Sequence, residues 1–481
     1  MMIKNEFTSY KLSKGVIDAL TKLKYVTPTE VQKRAIAPAL DKKDIVVKSK
    51  TGSGKTAAFA IPLIENVVWE ENLPQALVLE PTRELAYQVK DEIFNIGRMK
   101  RVKVPVVFGG APFQPQALSL KQKSHVVVGT PGRILDHLRK GTLQLQNIEY
   151  LVIDEADIML DMGFLDDVKE IISYLPEKHT TMLFSATMPE EVDGLINEYM
   201  TDPVKILIES ETKTEDNITQ LGYFVENEDK TDLLLDILYE QAPEYCMIFC
   251  GTREMVNVLY RKLRKERIRC GMIHGTVAQE ERLRTVDEFR QGKFGILIAT
   301  DVAARGIDFD TITHVINYDM PFGKETYVHR IGRTGRNGKS GIAISLMNAK
   351  EEKLKNTIEE YTGAQITICE RKSKEELKLN RRYYLEKQNE RRPLKKKKGA
   401  VFNKEITKLS IGGGRKSKMR AVDIVGTICS IPNVVAEDIG IIDIRESLTY
   451  VEILNGKGKI VLDALQTKPI KAKIRKVRIS R

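Results

Sequence analysis

Two adjacent carboxylates, Asp154 and Glu155, stand in the run Asp154-Glu155-Ala156-Asp157, directly after the apolar stretch Tyr150-Leu151-Val152-Ile153. Such a pair is costly unless a cation neutralises one member and a reaction uses the other. A metal-bound triphosphate meets both conditions, and a stretch suited to hold it lies upstream in Thr51-Gly52-Ser53-Gly54-Lys55-Thr56. Its glycines let backbone N–H groups turn inward around phosphate oxygens, and the helix opening at Ala57 faces the anion with its positive end. Lys55 then reaches the β and γ phosphates, and the Thr56 hydroxyl ligates Mg2+. Asp154 holds the same ion through water, leaving Glu155 to orient and deprotonate an attacking water.

Both motifs need parallel strands to position them. Tyr150–Ile153 and Ile45-Val46-Val47 are short apolar runs of the kind buried in such sheets, and open α/β sheets bind ligands at the carboxyl ends of their strands. Further runs at Ala76–Leu79, His125–Val128 and Thr181–Phe184 alternate with helical patterns to about Leu207, as βαβ units do. Residues 208–217, rich in Glu, Thr and Asp, read as a hinge linker. A second α/β segment, 218–370, has strands at Cys246–Phe249, Gly295–Ile298 and His314–Asn317. The basic linker 371–403 leads to a domain at 404–481. Its pattern is strand Ile406–Ile411, helix Met419–Ile428, strands Asp438–Ile444 and Leu448–Leu454, helix Lys459–Leu465 and strand Ile470–Ile479. That order is ferredoxin-like, the topology of RNA-recognition domains.

Other residues add to the nucleotide reading. The Gln32 amide, near Phe7, Tyr25 and Pro28-Thr29, can accept from adenine N6 and donate to N7, which favours ATP over GTP. Ser185 and Thr187, alternate residues after a strand, point to one side and can reach Asp157; a simple strand-end turn is the plainer alternative. In Tyr327–Arg336 a helix puts His329, Arg333 and Arg336 on one face. Two arginines there suit the charge that spreads over a transferring phosphoryl group. Asp308 is a candidate ribose or closure contact.

Of 481 residues, with a net charge of +11, the surplus is confined to the C-terminal part. Residues 371–398 carry +9 and 404–481 carry +8, leaving about −6 for 1–370. A basic run leading into a patterned domain points to a polyanion partner. No apolar run is long enough to span a bilayer and the first residues lack a signal-peptide core, so a cytoplasmic location is expected. Cys246, Cys250, Cys270, Cys369 and Cys429 have no metal-binding spacing and read as buried thiols.

Taken together these motifs resemble the DEAD-box RNA helicases over essentially Phe7–Glu370. The resemblance rests on Gln32, Lys55-Thr56, Pro81-Thr82-Arg83-Glu84-Leu85-Ala86, Gly109-Gly110, Thr130-Pro131-Gly132-Arg133, Asp154–Asp157, Ser185–Thr187, Gly251-Thr252-Arg253, Gln279 with Arg282, Ala299-Thr300-Asp301 and His329–Arg336. It implies an α/β fold of two RecA-like parallel-sheet domains, ATP with Mg2+, and single-stranded RNA contacted by Pro81, Thr82, Arg83, Gly110, Thr130 and Arg133 from the first domain and Thr252, Arg253, Gln279, Thr300 and Asp301 from the second. Such residues contact phosphate and sugar and carry no sequence information. Lys24 stands where this family often has Gly, and Ser49 where it often has Ala. The C-terminal part, with Asp423-Ile424-Val425-Gly426 and Glu437-Asp438-Ile439-Gly440, resembles the bacterial DEAD-box protein A family. That implies recognition of a hairpin in 23S ribosomal RNA and a role in large-subunit assembly. Ser410 replaces an expected stacking aromatic, leaving Tyr450 nearly alone on the sheet. Recognition is therefore expected to shift to Lys404, Lys408, Arg415, Lys416, Lys418 and Arg420. The expected whole is a monomeric RNA-dependent ATPase that separates short duplexes; an ATP-gated RNA clamp and a DNA translocase are the rivals.

Overall fold

In the computed structural model, residues 5–50, 52–208, 217–304, 307, 309, 311–336, 339–390, 394–395 and 398–480 are described, apart from the side chains of 374, 389, 403 and 404. The apolar runs of the first segment become seven parallel strands: β1 (Ile45–Lys48), β2 (Ala76–Leu79), β3 (Val106–Val107), β4 (Val126–Gly129), β5 (Tyr150–Ile153), β6 (Thr180–Ser185) and β7 (Val204–Leu207). Their spatial order is β3-β4-β2-β5-β6-β1-β7. The alternation of side chains along a strand sends Val47, Val78, Val128, Val152 and Phe184 into one core layer and Val46, Leu77, Leu151, Ile153 and Leu183 into the other. Each such burial contributes about 1.5–3 kcal/mol. Because all strands run one way, every motif that follows a strand emerges at the same edge of the sheet.

The second segment repeats the plan with β8 (Ile218–Phe224), β9 (Cys246–Phe249), β10 (Cys270–Ile273), β11 (Ile296–Ala299), β12 (His314–Asn317), β13 (Gly341–Met347) and β14 (Thr367–Ile368). They too are parallel, in the order β10-β11-β9-β12-β13-β8-β14. The two sheets are the RecA-like pair expected from the sequence. Of the hinge region, residues 209–216 lie outside the described residues.

The third sheet is antiparallel, with β15 (Thr407–Gly412), β16 (Ile439–Ile444), β17 (Leu448–Ile453) and β18 (Val477–Ile479) in the order β16-β17-β15-β18. With helices Ala421–Cys429 and Gly458–Leu465 this is the ferredoxin-like arrangement. The last strand is shorter than the sequence suggests: Ile470 and Lys473 form an isolated bridge. Lys471 and Ala472 between them take φ of 52° and 58°, so the chain turns back where a continuous strand was expected.

The basic segment after Glu370 also departs from the expected linker. Ser373 caps a helix at Lys374–Asn389 reciprocally with Glu376, and its Leu377 and Tyr384 are buried. Tyr384 meets Tyr239 edge-on in the core of the second segment. Further on, Phe402, Ile406 and Leu454 are part of the first segment's core. Arg98 donates to Glu452 at 3.0 Å, Arg101 to the Ala436 carbonyl at 2.9 Å and Lys103 to the Ile442 carbonyl at 2.7 Å. The C-terminal sheet thus docks on the first α/β layer with apolar contacts and partly desolvated cations. Cys246, Cys250 and Cys270 are buried, but Cys369 and Cys429 are partly exposed, a correction to the expectation of five buried thiols. Among the described residues no helix is long and apolar enough to cross a membrane.

Candidate functional site

Register lines up the motifs of the first segment. Lys48 pairs with Ser185, Ile153 with Leu79 and Leu79 with Gly129, so the phosphate loop, Ser185–Thr187, Asp154–Asp157, Glu80–Arg83 and Thr130–Arg133 follow neighbouring strand ends. The loop itself is tightly braced. Ser49 N–H donates to the Ser185 carbonyl, the Ser49 and Ser53 hydroxyls are 3.0 Å apart, and Thr29 Oγ1 donates to the Ser53 carbonyl at 2.8 Å. Gly52 and Gly54 have φ of 84° and 92°, which an L side chain adopts only with strain. A Cβ on Gly54 would also lie 2.6 Å from Gln32 Nε2. Thr51 lies outside the described residues.

Gln32 is buried, with Oε1 accepting from Thr29 N–H at 3.0 Å and Nε2 donating to the Gly54 carbonyl at 3.1 Å. A carboxamide has a second lone pair and a second N–H, so bracing the loop leaves Gln32 able to meet adenine as well. Tyr25 packs edge-on against Phe7; its hydroxyl contacts Glu92 and accepts from Lys398 at 2.8 Å. Lys24 takes φ 65°, the left-handed conformation that explains the glycine common there in the family resembled.

At the centre, Lys55 is 4 % exposed, Asp154 3 % and Glu155 4 %. Lys55 Nζ donates to Glu155 Oε1 at 2.7 Å and lies 4.0 Å from Asp154 Oδ1. Burial works against the Lys55 charge, but Glu155 and then Asp154 outweigh it and hold the ammonium above its ordinary range. Burial pushes the Asp154 carboxyl up to about 7, with Lys55 opposing the rise and Glu155 adding to it. Glu155 has φ 50° and caps the helix Ala156–Asp161; strained backbone of this kind clusters at functional sites. Thr56 opens the helix Lys55–Asn66 beside Lys55. Ser185 Oγ accepts from Asp157 N–H at 3.2 Å, while Thr187 donates to Asp157 Oδ2 through its N–H at 2.8 Å and its hydroxyl at 2.9 Å.

A fourth ionisable group, which the sequence reading passed over, belongs to this cluster. Glu80 is 0 % exposed and neither carboxylate oxygen has a hydrogen-bond partner. Burial first, then Asp154 and Glu155, raises its carboxyl well above the usual range, against Lys55.

The six residues expected to contact RNA from the first segment lie on two helix N-termini and the turn between. Pro81 precedes Thr82, whose hydroxyl caps the helix Arg83–Ile96 through Leu85 N–H; Thr130 immediately precedes the helix Pro131–Arg139, with no side-chain bond to it. Gly110, at φ 77°, leaves room for the Arg83 guanidinium, since a Cβ there would lie 2.2 Å from Nη1. Arg133 donates to the Ala111 carbonyl at 2.9 Å. Two helix N-termini and two guanidinium groups make a surface suited to phosphates.

In the second segment Thr252 caps the helix Arg253–Lys265 through Met255 N–H at 3.1 Å, Gln279 opens the helix Gln279–Arg290, and Thr300 precedes the short helix Asp301–Ala304. Both oxygens of Asp301 accept from Arg330, at 2.5 and 2.7 Å. Arg330, buried, also donates to Asn317 Oδ1 and to the Asp319 carbonyl. Asp301 therefore anchors the strand ends, and Arg330 is an organiser that spacing did not reveal. The helix expected over Tyr327–Arg336 spans only Lys324–Ile331. Thr334 is drawn to the Ile312 carbonyl at 2.8 Å and Gly335 turns at φ 67°, so His329 is exposed on the helix while Arg333 and Arg336 follow it in a turn. Arg333 donates to the Ile307 carbonyl at 3.0 Å and Arg336 to the Gly332 carbonyl at 2.7 Å. Asp308 lies outside the described residues.

Lys408 lies over one side of the Tyr450 ring at 5.1 Å, with Arg445 also over it at 4.7 Å. Arg415, Lys416, Lys418 and Arg420 are exposed on the turn before the helix Ala421–Cys429. The Lys404 side chain is outside the described set.

Residues 29–195 match the DEAD/DEAH box helicase model, 229–338 the helicase conserved C-terminal domain and 408–481 the DbpA RNA binding domain. The chain is similar to the ATP-dependent RNA helicase DbpA of Bacillus subtilis, with 51% identity over 98% of this chain and 99% of that protein. It is 42% identical to the DEAD-box ATP-dependent RNA helicase CshA of Geobacillus kaustophilus over 72% of this chain and 74% of that one. Among solved structures, S. cerevisiae Dbp5 bound to RNA and ADP BeF3 matches 79% of this chain and 100% of its own, at 32% identity and a TM-score of 0.68.

Proposed function

Because the chain belongs to the DbpA family of DEAD-box ATP-dependent RNA helicases, we propose that it opens short duplexes in 23S ribosomal RNA while the large ribosomal subunit is assembled, acting as a cytoplasmic monomer. The observation that carries the catalytic part is the buried Lys55–Glu155 pair at the strand ends. In the nucleotide-free chain Lys55 and Glu155 neutralise each other. An incoming triphosphate competes for Lys55, and Glu155 is released to act as base on water. Thr56 and Asp154 are the donors suited to Mg2+, which when bound offsets phosphate charge; the oxygen-rich set and the unpartnered Glu80 carboxylate fit a hard cation.

Asp157 links this event to Ser185 and Thr187, and through β6 to the rest of the sheet. RNA contacts are assigned to Pro81, Thr82, Arg83, Gly110, Thr130 and Arg133 of the first domain and to Thr252, Arg253, Gln279, Thr300 and Asp301 of the second. Contacts to phosphate and sugar select no sequence, and the 2′-hydroxyl is the handle that rejects DNA. Holding one strand in a bent path costs the duplex about 1.4 kcal/mol per stacked step, so one cycle of ATP binding suffices for a few base pairs and long processive unwinding is not needed.

Selectivity for a ribosomal hairpin is assigned to the C-terminal domain. What supports this is its match to the DbpA RNA binding domain together with the exposed Arg415, Lys416, Lys418 and Arg420 and the Tyr450 ring flanked by Lys408 and Arg445. The test is the ATPase rate of the full chain, and of a full-length variant with Arg415→Ala, Lys416→Ala, Lys418→Ala and Arg420→Ala at exposed positions, against a panel of ribosomal RNA fragments and random RNA. The full chain is expected to respond to one hairpin-bearing fragment at concentrations on the order of 10³-fold below those needed for random RNA. The variant is expected to lose that preference and keep weak stimulation by any RNA. An equal response of the full chain to all fragments would refute the targeting.

A further inference from the structure

Glu80, so far only a sign that the cluster suits a hard cation, is the most anomalous group among the described residues of the first segment. It follows β2, next to the β5 end that carries Asp154, because Leu79 pairs with Ile153 and Asp154 N–H donates to the Leu79 carbonyl. Its backbone is satisfied, with N–H donating to the Gly129 carbonyl at 2.9 Å. Its carboxylate has no exposure and no hydrogen-bond partner. A buried carboxylate is tolerated only when something pairs with it, and an unsatisfied buried group in a folded protein calls for a functional explanation. The charged neighbours that act on it are Asp154 and Glu155, which repel it, and Lys55, which attracts it. Asp154, Glu155 and Glu80 thus stand around the single ammonium of Lys55, more carboxyl oxygens than that ammonium pairs with. Once a triphosphate draws Lys55 away, that cationic partner is lost to all three.

We propose that Glu80 is an additional carboxylate of the divalent-cation site, which tightens Mg2+ in the nucleotide complex from behind Asp154. This rests on the reading of Thr56 and Asp154 as the Mg2+ donors. Among the described residues no three acidic, His or Cys side chains are already gathered to hold an ion. Lys55, 2.7 Å from Glu155 and 4.0 Å from Asp154, stands in the cluster instead. The site is thus formed only when nucleotide displaces Lys55, and Glu80 makes metal and nucleotide more dependent on each other.

The test uses the full chain and a fluorescent ADP analogue, titrated at Mg2+ concentrations from micromolar to millimolar, with thermal unfolding of the nucleotide-free protein alongside. In Glu80→Gln the Mg2+ concentration at half-maximal ADP binding is expected to rise about 10-fold, the loss typical of removing a group that supports a metal ligand, while ADP binding in EDTA is unchanged. The nucleotide-free variant is expected to unfold at a higher temperature, because an unpaired buried carboxylate has been removed. A Mg2+ midpoint equal to the parent's, or a lower unfolding temperature, would overturn the role of Glu80; the latter marks a structural group. Parent protein that binds ADP alike with and without Mg2+ overturns the donor assignment of Thr56 and Asp154 as well, and so separates the two failures.

Discussion

Glu155→Gln is expected to bind ATP and RNA as the parent does and to hydrolyse ATP about 10²- to 10⁴-fold more slowly, the range lost with a general base. Glutamine keeps the length of the side chain and its φ of 50° at the helix start, so the loop and the Asp157–Thr187 contacts stay in place. The carboxylate proposed to take a proton from water is removed. Lys55 loses the charge of its 2.7 Å partner but keeps an acceptor there and retains Asp154, and in the proposed complex it faces phosphate. Quenched-flow measurement of a single turnover, with equilibrium binding of ATP and RNA measured separately, distinguishes the steps. Normal turnover in this variant would refute the role given to Glu155.

Arg336→Ala is expected to leave ATP binding nearly intact and to lower RNA-stimulated turnover by about 10³-fold or more, as loss of an arginine that meets transition-state charge does. The turn Gly332–Arg336 is held by Thr334 on the Ile312 carbonyl and by Arg330 on Asp301 as well as by the bond from Arg336 to the Gly332 carbonyl. Truncating Arg336 removes a charge and that one bond while the other two anchors stay, and the unfolding temperature is expected to stay close to the parent's. Arg330→Ala is the contrasting control. It leaves Asp301 and Asn317 without their buried partner and is expected to cost about 3–5 kcal/mol of stability. Equal turnover in Arg336→Ala and the parent would remove this arginine from the chemistry.

The fold class was readable because parallel strands buried on both faces leave runs such as Leu77-Val78-Leu79 and Leu151-Val152-Ile153 that fit nothing else at that length. The C-terminal topology followed from the spacing of its apolar runs. What could not be read were features set by contacts distant in sequence. The helix after Lys324 stops at Ile331 because Thr334 and Gly335 are held by the chain near Ile312, and β18 is short because Lys471 and Ala472 adopt a left-handed turn. Other features left a signal that went unused. Ser373-x-x-Glu376 is a capping box, followed by Leu377 and Tyr384 seven residues apart, enough to announce a docked helix inside the charged segment. Glu80 follows an apolar strand just as Asp154 does, and a carboxylate in that place was the very reason Asp154 drew notice. Arg330 offered no such clue, since charge alone does not separate a buried organiser from the exposed His329 and the half-buried Arg333 beside it.

Coupling between the two ligands is most directly tested by the steady-state ATPase rate of the full chain at saturating ATP, with and without single-stranded RNA. A coupling of about 1.4 kcal/mol or more predicts that RNA raises the rate about 10-fold or more, and that DNA of the same sequence does much less. A rate that is the same in the absence of RNA would contradict it.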